Sequence, residues 1–581
     1  MRPLRLAPGP AWRGPSRSLA ALLALAWALA LALPRPCPAT DPPLKPPITD
    51  PPAASTNVDV DATPKAVADD DPATALRKGL DLELQRNWVG AIETYESAVE
   101  HWPARAEFRH RLRLCEIHYR LGRRYQDKSF RAHLLGLPTE RALELYDELL
   151  ERIETHYVEP VAFEPLLRRG LDNLEVALRD PVFLRANAPG RDATQVQALR
   201  DAYRARRGRV AARDRSAALG LAVAAGEQGR QLLGLSPTAV LLEFAFGACD
   251  ALDDYSCYLT PDRLDDLFAM IDGNFVGIGV ELKQDERGLR VVGVIPGGPA
   301  AEAGLKAGDR ITHVDGKPIV GLGLDEAAGR LQGAEGTEAR IAVLGQDGSE
   351  RSYRLVRRAV EVRSVTELRM VPGTAVGYVQ LGGFQKSSTD ELDAAIALLQ
   401  RQGMLYLVLD LRGNPGGLLN VAVDIADRFL DNGVIVSTRG RAPGQSAIYR
   451  ARAGAPWRMP MAILIDRDSA SASEILAGAL KENRRAVVVG ERSYGKGSVQ
   501  SIFTLRAAEA GLKLTTAKFY SPRDRAYSEQ GVDPDLAVAP AKDRRRVAAK
   551  PPADAPPPAA ASSSDPILEA AVALARKQLN R

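Results

Sequence analysis

A chain of 581 residues is longer than one hydrophobic core serves, and its length corresponds to about three to four structural units. Its formal charge of +4, from 77 Lys and Arg against 73 Asp and Glu, leaves no basic footprint for nucleic acid, so no nucleic-acid partner is expected. The four cysteines include no Cys-x-x-Cys pair and the six histidines no His-Glu-x-x-His, which speaks against a disulfide framework and a zinc centre; neither metal nor cofactor is expected.

At the N-terminus, Arg2, Arg5, Arg13 and Arg17 precede a Leu/Ala run from Ser18 to Leu33, followed by Pro34, Pro36 and the small Ala39. A basic stretch, an apolar stretch and a cleavage zone describe a secretory signal peptide over residues 1–39. The apolar run falls short of the ~20 residues of a spanning helix. The expected location is therefore periplasmic or extracellular, with a retained membrane anchor as the alternative. Residues 40–72, rich in Pro, Ala, Thr and Asp, read as a disordered linker.

Residues 73–270 carry helical periodicity. Gly79, Ala91, Tyr95, Ala98 and Pro103 have the spacing of one tetratricopeptide-like helix pair, but stacked repeats need about three copies, so a partner-docking surface is the secondary reading here. Leu143, Tyr146, Leu149, Leu150 and Ile153 form one stripe of a helical stretch running from Thr139 to Arg179. The Arg-rich run 192–215 reads as a solvated helical face. Export would permit Cys249 and Cys257 to pair; isolated buried thiols are the plainer expectation.

At Asn274 the texture changes to short β runs punctuated by glycine: 275–282, 289–295, 310–314 and 339–343, with a short helix over 323–331. This β-rich unit spans 274–358. From 359 to 542 strands alternate with helices: strands at 376–381, 405–411, 461–465 and 486–489, helices at 389–402, 418–429 and 471–483. Such alternation implies a sheet with parallel members and covering helices, with the site beyond the carboxyl ends of strands. Residues 543–581 are a basic, Pro-rich tail ending in a helix from Pro566.

Three features of the α/β region bear on chemistry. Ser469-Ala470-Ser471-Ala472-Ser473-Glu474 turns from strand into helix, where free N–H groups and the positive dipole end favour an oxyanion; the competing reading is a Ser471–Glu474 capping box. Gly495-Lys496-Gly497-Ser498 resembles part of a P-loop. Gly497 stands where Ser or Thr would hold magnesium, and a strand follows, so the phosphate cradle is missing. Asp410-Leu411-Arg412-Gly413-Asn414-Pro415-Gly416-Gly417 ends the most apolar strand with glycines able to aim backbone N–H groups at one spot. Together they supply a hydroxyl, an amine that burial can deprotonate, and backbone donors. None of the six histidines (101, 110, 118, 133, 156 and 313) lies in this region.

These blocks, with Tyr378-Val379-Gln380-Leu381 ahead of them, resemble the successive motifs of the carboxy-terminal processing, or tail-specific, proteases over roughly 143–538. The resemblance implies a Ser–Lys serine endopeptidase with a crotonase/ClpP-like α/β core. It assigns Ser471 as nucleophile, Lys496 as general base and Gln500 as the residue orienting the lysine. The N–H of Ala472, with that of Gly416 or Gly417, would form the oxyanion hole. In a straight strand Lys496 and Gln500 would stand ~13 Å apart, so a bend at the glycines is expected. Residues 274–358 resemble a PDZ domain. Gly277, Ile278, Gly279 and Val280 correspond to its carboxylate-binding loop and following strand, implying protein or peptide C-terminal tails as partners. Asp253-Asp254-Tyr255-Ser256 departs from the family's Asp-Pro-His-Ser; this departure and the extra helical material near 192–234 bear on the lid and substrate entry and are not expected to touch the dyad.

The leading expectation is a multidomain, exported serine endopeptidase: an α-helical N-terminal region, a PDZ-like domain that grasps C-terminal tails, and an α/β core that hydrolyses peptide bonds. The alternative is a catalytically silent adaptor that binds tails through the PDZ-like and helical regions. A partner for the helical region and oligomerisation are compatible with both.

Overall fold

The structure, a computed structural model, describes residues 71–285, 288–320, 322, 324–540 and 565–580. The expected signal peptide, all but the last two residues of the linker, and most of the Pro-rich tail lie outside the described residues. No helix among the described residues is long and apolar enough to cross a membrane.

Helix begins at Pro72, one residue inside the expected linker. Asp71 caps it by accepting the Ala73 N–H at 3.1 Å, and proline at the first helical position is pre-set for helix. Helix Pro72–Leu84 packs on Trp88–His101, and the repeat-like spacing is their seam. Ala91, Tyr95 and Ala98 are buried, and a Cβ on Gly79 would lie 2.3 Å from the Tyr95 ring. One such pair forms, followed by the long helix Ala106–Gln126.

The stretch 139–179 is two helices, Thr139–His156 and Phe163–Ala177, rather than one. The chain leaves the first where the Val158 N–H turns to the Thr515 carbonyl at 2.9 Å, and Pro160 has no N–H to continue a helix. The Arg-rich helix Ala193–Arg207 buries Leu199 and Tyr203 and spreads its charge over the surface; Glu175 alone pairs with Arg179, Arg200 and Arg204. Helix Pro237–Asp250 is buried along its length, and its Phe244, Ala245 and Ala248 share one core with Phe503, Leu505, Leu512 and Leu514 of a β-sheet. The helical region and this sheet are therefore joined by continuous apolar packing.

The β-rich unit that resembles a PDZ domain is a sheet in the order Val280–Asp285, Gly288–Val294, Arg310–Val314, Glu338–Leu344, Glu350–Val356, all antiparallel. The run expected as one strand over 275–282 is broken at Ile278–Gly279. Gly279 has φ +77, and its ideal Cβ would stand 3.2 Å from the Gly298 Cα, so the chain turns there. The preceding strand, Asn274–Gly277, pairs with Arg358–Glu361 and ties the module's entry to its exit.

The α/β core holds a six-stranded sheet in the order Val365–Met370, Val376–Leu381, Tyr406–Asp410, Met461–Ile465, Val487–Gly490, Leu536–Ala537; its first pair is antiparallel and the others parallel. Period-two alternation sends Leu407, Leu409, Ile463 and Ile465 to one face, under helices Ser388–Arg401, Leu419–Asp427 and Ala472–Glu482. Tyr406, Val408, Ala462 and Leu464 go to the other, covered by Ile567, Ala571, Val572 and Ala575 of the last helix, Pro566–Leu579. The helix read from sequence as a tail element thus closes the second face of this sheet. A second, antiparallel sheet joins Cys257–Leu259, Ala510–Tyr520, Val434–Gly440 and Ala447–Arg450, with Ser498–Leu505 also on Ala510–Tyr520.

Candidate active site

Ser471 sits between the 461–465 strand and the helix that starts at Ala472, at φ +56 and ψ −113, a conformation that non-glycine residues seldom adopt. It is fully buried and its hydroxyl has no hydrogen-bond partner. The capping-box arrangement is present: Glu474 Oε2 accepts the Ser471 N–H at 2.7 Å, and Ser471 Oγ faces the Glu474 N–H without closing a hydrogen bond to it. The neighbouring serines are pins. Ser469 Oγ donates to the Leu411 carbonyl at 2.8 Å and Ser473 Oγ to the Asn414 carbonyl at 3.0 Å.

Those bonds, with Ala470 N–H to the Asn414 carbonyl at 3.0 Å, clamp the 411–417 loop onto the serine turn. Contact is so close that a Cβ on Gly416, at φ +104, would lie 2.8 Å from the Ser471 Cβ and 2.9 Å from the Ala472 N. The structure thus brings Gly416, Ser471 and Ala472 together. The Gly416 N–H, however, donates to Asn414 Oδ1 at 2.9 Å. It is thereby committed within the loop, while Gly417 stands against Phe384, whose carbonyl oxygen a Cβ on Gly417 would approach to 2.3 Å.

Lys496 is 5 % exposed. Burial drives its amine down to about 7, and the positive charge of Lys513 pushes the same way, against the opposing pull of Glu474 and Asp253. Glu474, fully buried, ties the lysine to the serine. Its Oε2 accepts both the Ser471 and the Lys496 N–H, the latter at 3.0 Å, and its Oε1 accepts Ser493 Oγ at 2.6 Å and the Gly495 N–H at 2.7 Å. Burial raises its carboxyl to about 7 although all four donors favour the anion. Lys496 and Ser471 are not hydrogen-bonded to each other; catalytic contacts are commonly loose before substrate arrives.

Gln500 is not hydrogen-bonded to Lys496. Its Nε2 donates to Ser498 Oγ at 2.9 Å and Thr515 Oγ1 at 3.1 Å, leaving Oε1 buried without a partner. The chain turns at the glycines, where Gly495 has φ +93 and the strand starts only at Ser498, and a β-bulge follows between Val499 and Gln500.

The departure at 253–256 was expected to stay clear of the dyad; the structure overturns this. Lys496 Nζ lies over the Tyr255 ring, 4.7 Å from its centroid, and Asp253 contributes to the lysine's electrostatics. The loop reaches the site because Ser256 Oγ accepts the Thr515 N–H at 3.1 Å. Tyr255 and Lys513 carry no local motif signal; their positions depend on pairing between segments about 250 residues apart. In the β-rich unit, Ile278 is buried, and its carbonyl accepts the Ala300 N–H at 2.8 Å while the Gly279 carbonyl accepts that of Ile295 at 3.0 Å. Gly277 pairs with Arg358 and Val280 with Val294, so the four residues named from sequence span the turn between two strands. All three described cysteines are free, Cys115 and Cys249 being buried.

Residues 375–538 match peptidase family S41 and residues 290–344 match a PDZ domain. A carboxy-terminal-processing protease of Bartonella bacilliformis is 38 % identical over 295 residues, covering 50 % of this chain and 67 % of that protein. One from Synechocystis sp. is 35 % identical over 292 residues, covering 49 % and 68 %. The solved photosystem II D1 C-terminal processing protease is 28 % identical, covers 68 % of this chain and 93 % of its own, and superposes with a TM-score of 0.37. With a family S41 core, a PDZ domain and relatives matched over two thirds of their length, the chain belongs to the carboxy-terminal processing proteases, serine peptidases of family S41.

Proposed function

We propose that this peptidase works through a Ser471–Lys496 dyad, with the PDZ domain delivering the C-terminal tails of protein substrates, in an exported location. The observation that carries the dyad is the pairing of a strained, buried hydroxyl without a partner and a buried amine brought to about 7, both fastened by their main-chain N–H groups to one Glu474 oxygen. Neutral Lys496 takes the Ser471 proton as Oγ attacks the scissile carbonyl carbon. The developing oxyanion meets the N–H of Ala472 at the start of the 472–482 helix and one from Gly416 or Gly417 in the glycine loop. The resulting ammonium protonates the leaving amine, the C–N bond breaks, and an ester on Ser471 remains. Water then gives a proton to Lys496 while its oxygen attacks the ester, which frees the new C-terminus and restores both side chains. Gln500, whose Oε1 lacks a partner, is an acceptor suited to orienting the lysine ammonium.

Tail capture is assigned to strand addition beside Gly277, Ile278, Gly279 and Val280, where backbone N–H groups at the turn meet the terminal carboxylate. Export is supported by the basic, apolar and small-residue order of residues 1–39. Family membership favours this reading over a silent adaptor. The test is Lys496→Ala: the protein should fold and bind tails yet lose cleavage of an unstructured protein substrate. Wild-type cleavage by this variant excludes the dyad. Cell fractionation tests export, and recovery only in the cytosol refutes it.

A further inference from the structure

We infer that Tyr255 is a positioning residue for Lys496, the face of its ring holding the lysine amine in the cleft. The inference rests on Lys496 being the base. The ammonium nitrogen lies 4.7 Å from the ring centroid, within the distance at which an aromatic quadrupole attracts a cation. The ring is itself held. Asp253 Oδ1 accepts the N–H groups of Tyr255 at 3.1 Å and Ser256 at 2.8 Å, Ser256 Oγ accepts the Thr515 N–H, and burial together with the neighbouring Tyr494 phenol keeps the Tyr255 phenol protonated. Thr515 in turn accepts from Gln500. A loop from the helical region is thereby laced to both strands of the sheet hairpin that follows Lys496.

The chemistry explains why a ring suits this place. A carboxylate bonded to the amine would favour the ammonium strongly and block its use as a base at neutral pH. An aromatic face grips the side chain with a milder preference for charge, so the amine stays placed and still gives up its proton. The other charged or titratable groups facing it are Glu474 on the 472–482 helix, Lys513 on the 510–520 strand, Asp253 beside Tyr255, and Tyr494 in the loop before the 498–505 strand.

The test measures kcat and KM against pH for the full chain carrying Tyr255→Phe, Tyr255→Leu and, as control, Lys496→Ala. Leucine fills comparable space and keeps water out while removing the quadrupole. Tyr255→Phe should keep kcat within about threefold, and Tyr255→Leu should lower it by about tenfold with KM within about twofold. The limb on which activity rises with pH should move down by roughly half a unit in Tyr255→Leu, since the charged amine has lost a favourable neighbour. If Tyr255→Leu lacks a cooperative melt, Tyr255→Met takes its place with the same expectation. Unchanged kcat and pH limb, or a raised kcat, overturns the inference. An active Lys496→Ala overturns the base assignment instead; an inactive Lys496→Ala beside a wild-type-like Tyr255→Leu overturns only the role of Tyr255.

Discussion

Glu474 and Lys496 meet through the backbone: Glu474 Oε2 accepts the Lys496 N–H at 3.0 Å, and the same oxygen accepts the Ser471 N–H at 2.7 Å. One carboxylate thus sets the spacing of two segments that approach from different strands. Replacing it by alanine strands four donors, three of them buried. Glu474→Ala should cost about 3–5 kcal/mol in urea unfolding, against about 1–2 kcal/mol for Glu474→Gln, which keeps one acceptor oxygen. Equal losses in the two variants would mean that the clamp does not act through its hydrogen bonds.

Activity should rise with pH through about 7, because the base must be neutral and the lysine is brought to about 7 by burial and by Lys513. Glu474, raised by burial to about 7, titrates in the same range, so the observed limb belongs to the pair. Lys513→Met removes a like charge, favours the ammonium and should shift the limb to higher pH by about half a unit or more. A shift to lower pH in kcat/KM profiles would contradict this electrostatic account.

The same lysine should mark stability. Its folded value lies below the unfolded 10.5, so the folded state binds fewer protons there, and stability is gained as pH rises from about 7 towards 10.5 and lost as pH falls through 7. Lys496→Met should be the more stable protein near pH 7, on the order of 3 kcal/mol, and should lack that rise. Glu474 works in the opposite direction at lower pH: its raised value favours the folded state below about 4.5, and that contribution is lost as pH rises through about 7. Denaturant melts across pH 5–10 separate the two.

At Ser471 the positive φ is a cost that glycine would not bear. Ser471→Gly should be more stable than Ser471→Ala by about 1 kcal/mol, despite the greater chain entropy that glycine loses, and both should be inactive. Thermal melts at one pH decide it; a less stable glycine variant would show that the turn is unstrained.

Arg412, in the glycine loop, donates to Asp410 and makes a two-bond pair with Asp565 at the start of the last helix, at 2.9 and 2.8 Å. Asp410 is fully buried, held otherwise by the Tyr378 hydroxyl at 2.8 Å and the Arg412 N–H. Arg412→Ala should therefore cost about 3–5 kcal/mol, and Asp565→Ala, whose side chain is 36 % exposed, about 1 kcal/mol. Equal costs would place the energy in the helix contact rather than in Asp410.

Much of this architecture was legible in the chain. Strand Met461–Ile465 and strand Ser498–Leu505 lie where the apolar and alternating runs put them, because period-two patterning is a local signal. The serine turn and the glycine loop were visible for the same reason: both need particular residue types within a few positions. The two-helix break near Pro160 leaves little mark in the apolar pattern, because the stripe continues on both sides of it. Gln500 was expected beside the lysine and hydrogen-bonds to Ser498 and Thr515 instead, since a bulge at Val499 and Gln500, invisible in composition, sets where that side chain points.

By itself the sequence determined which segments form strands and helices and which residues bring a hydroxyl, an amine and backbone donors, since those follow from spacing along the chain. Only the tertiary structure decided what surrounds the amine: Tyr255 from the helical region, Lys513 from the neighbouring strand, and Glu474 holding both N–H groups. A proton affinity is set by the dielectric and the charges within a few ångströms, and segments distant in sequence supply those only once the chain has folded.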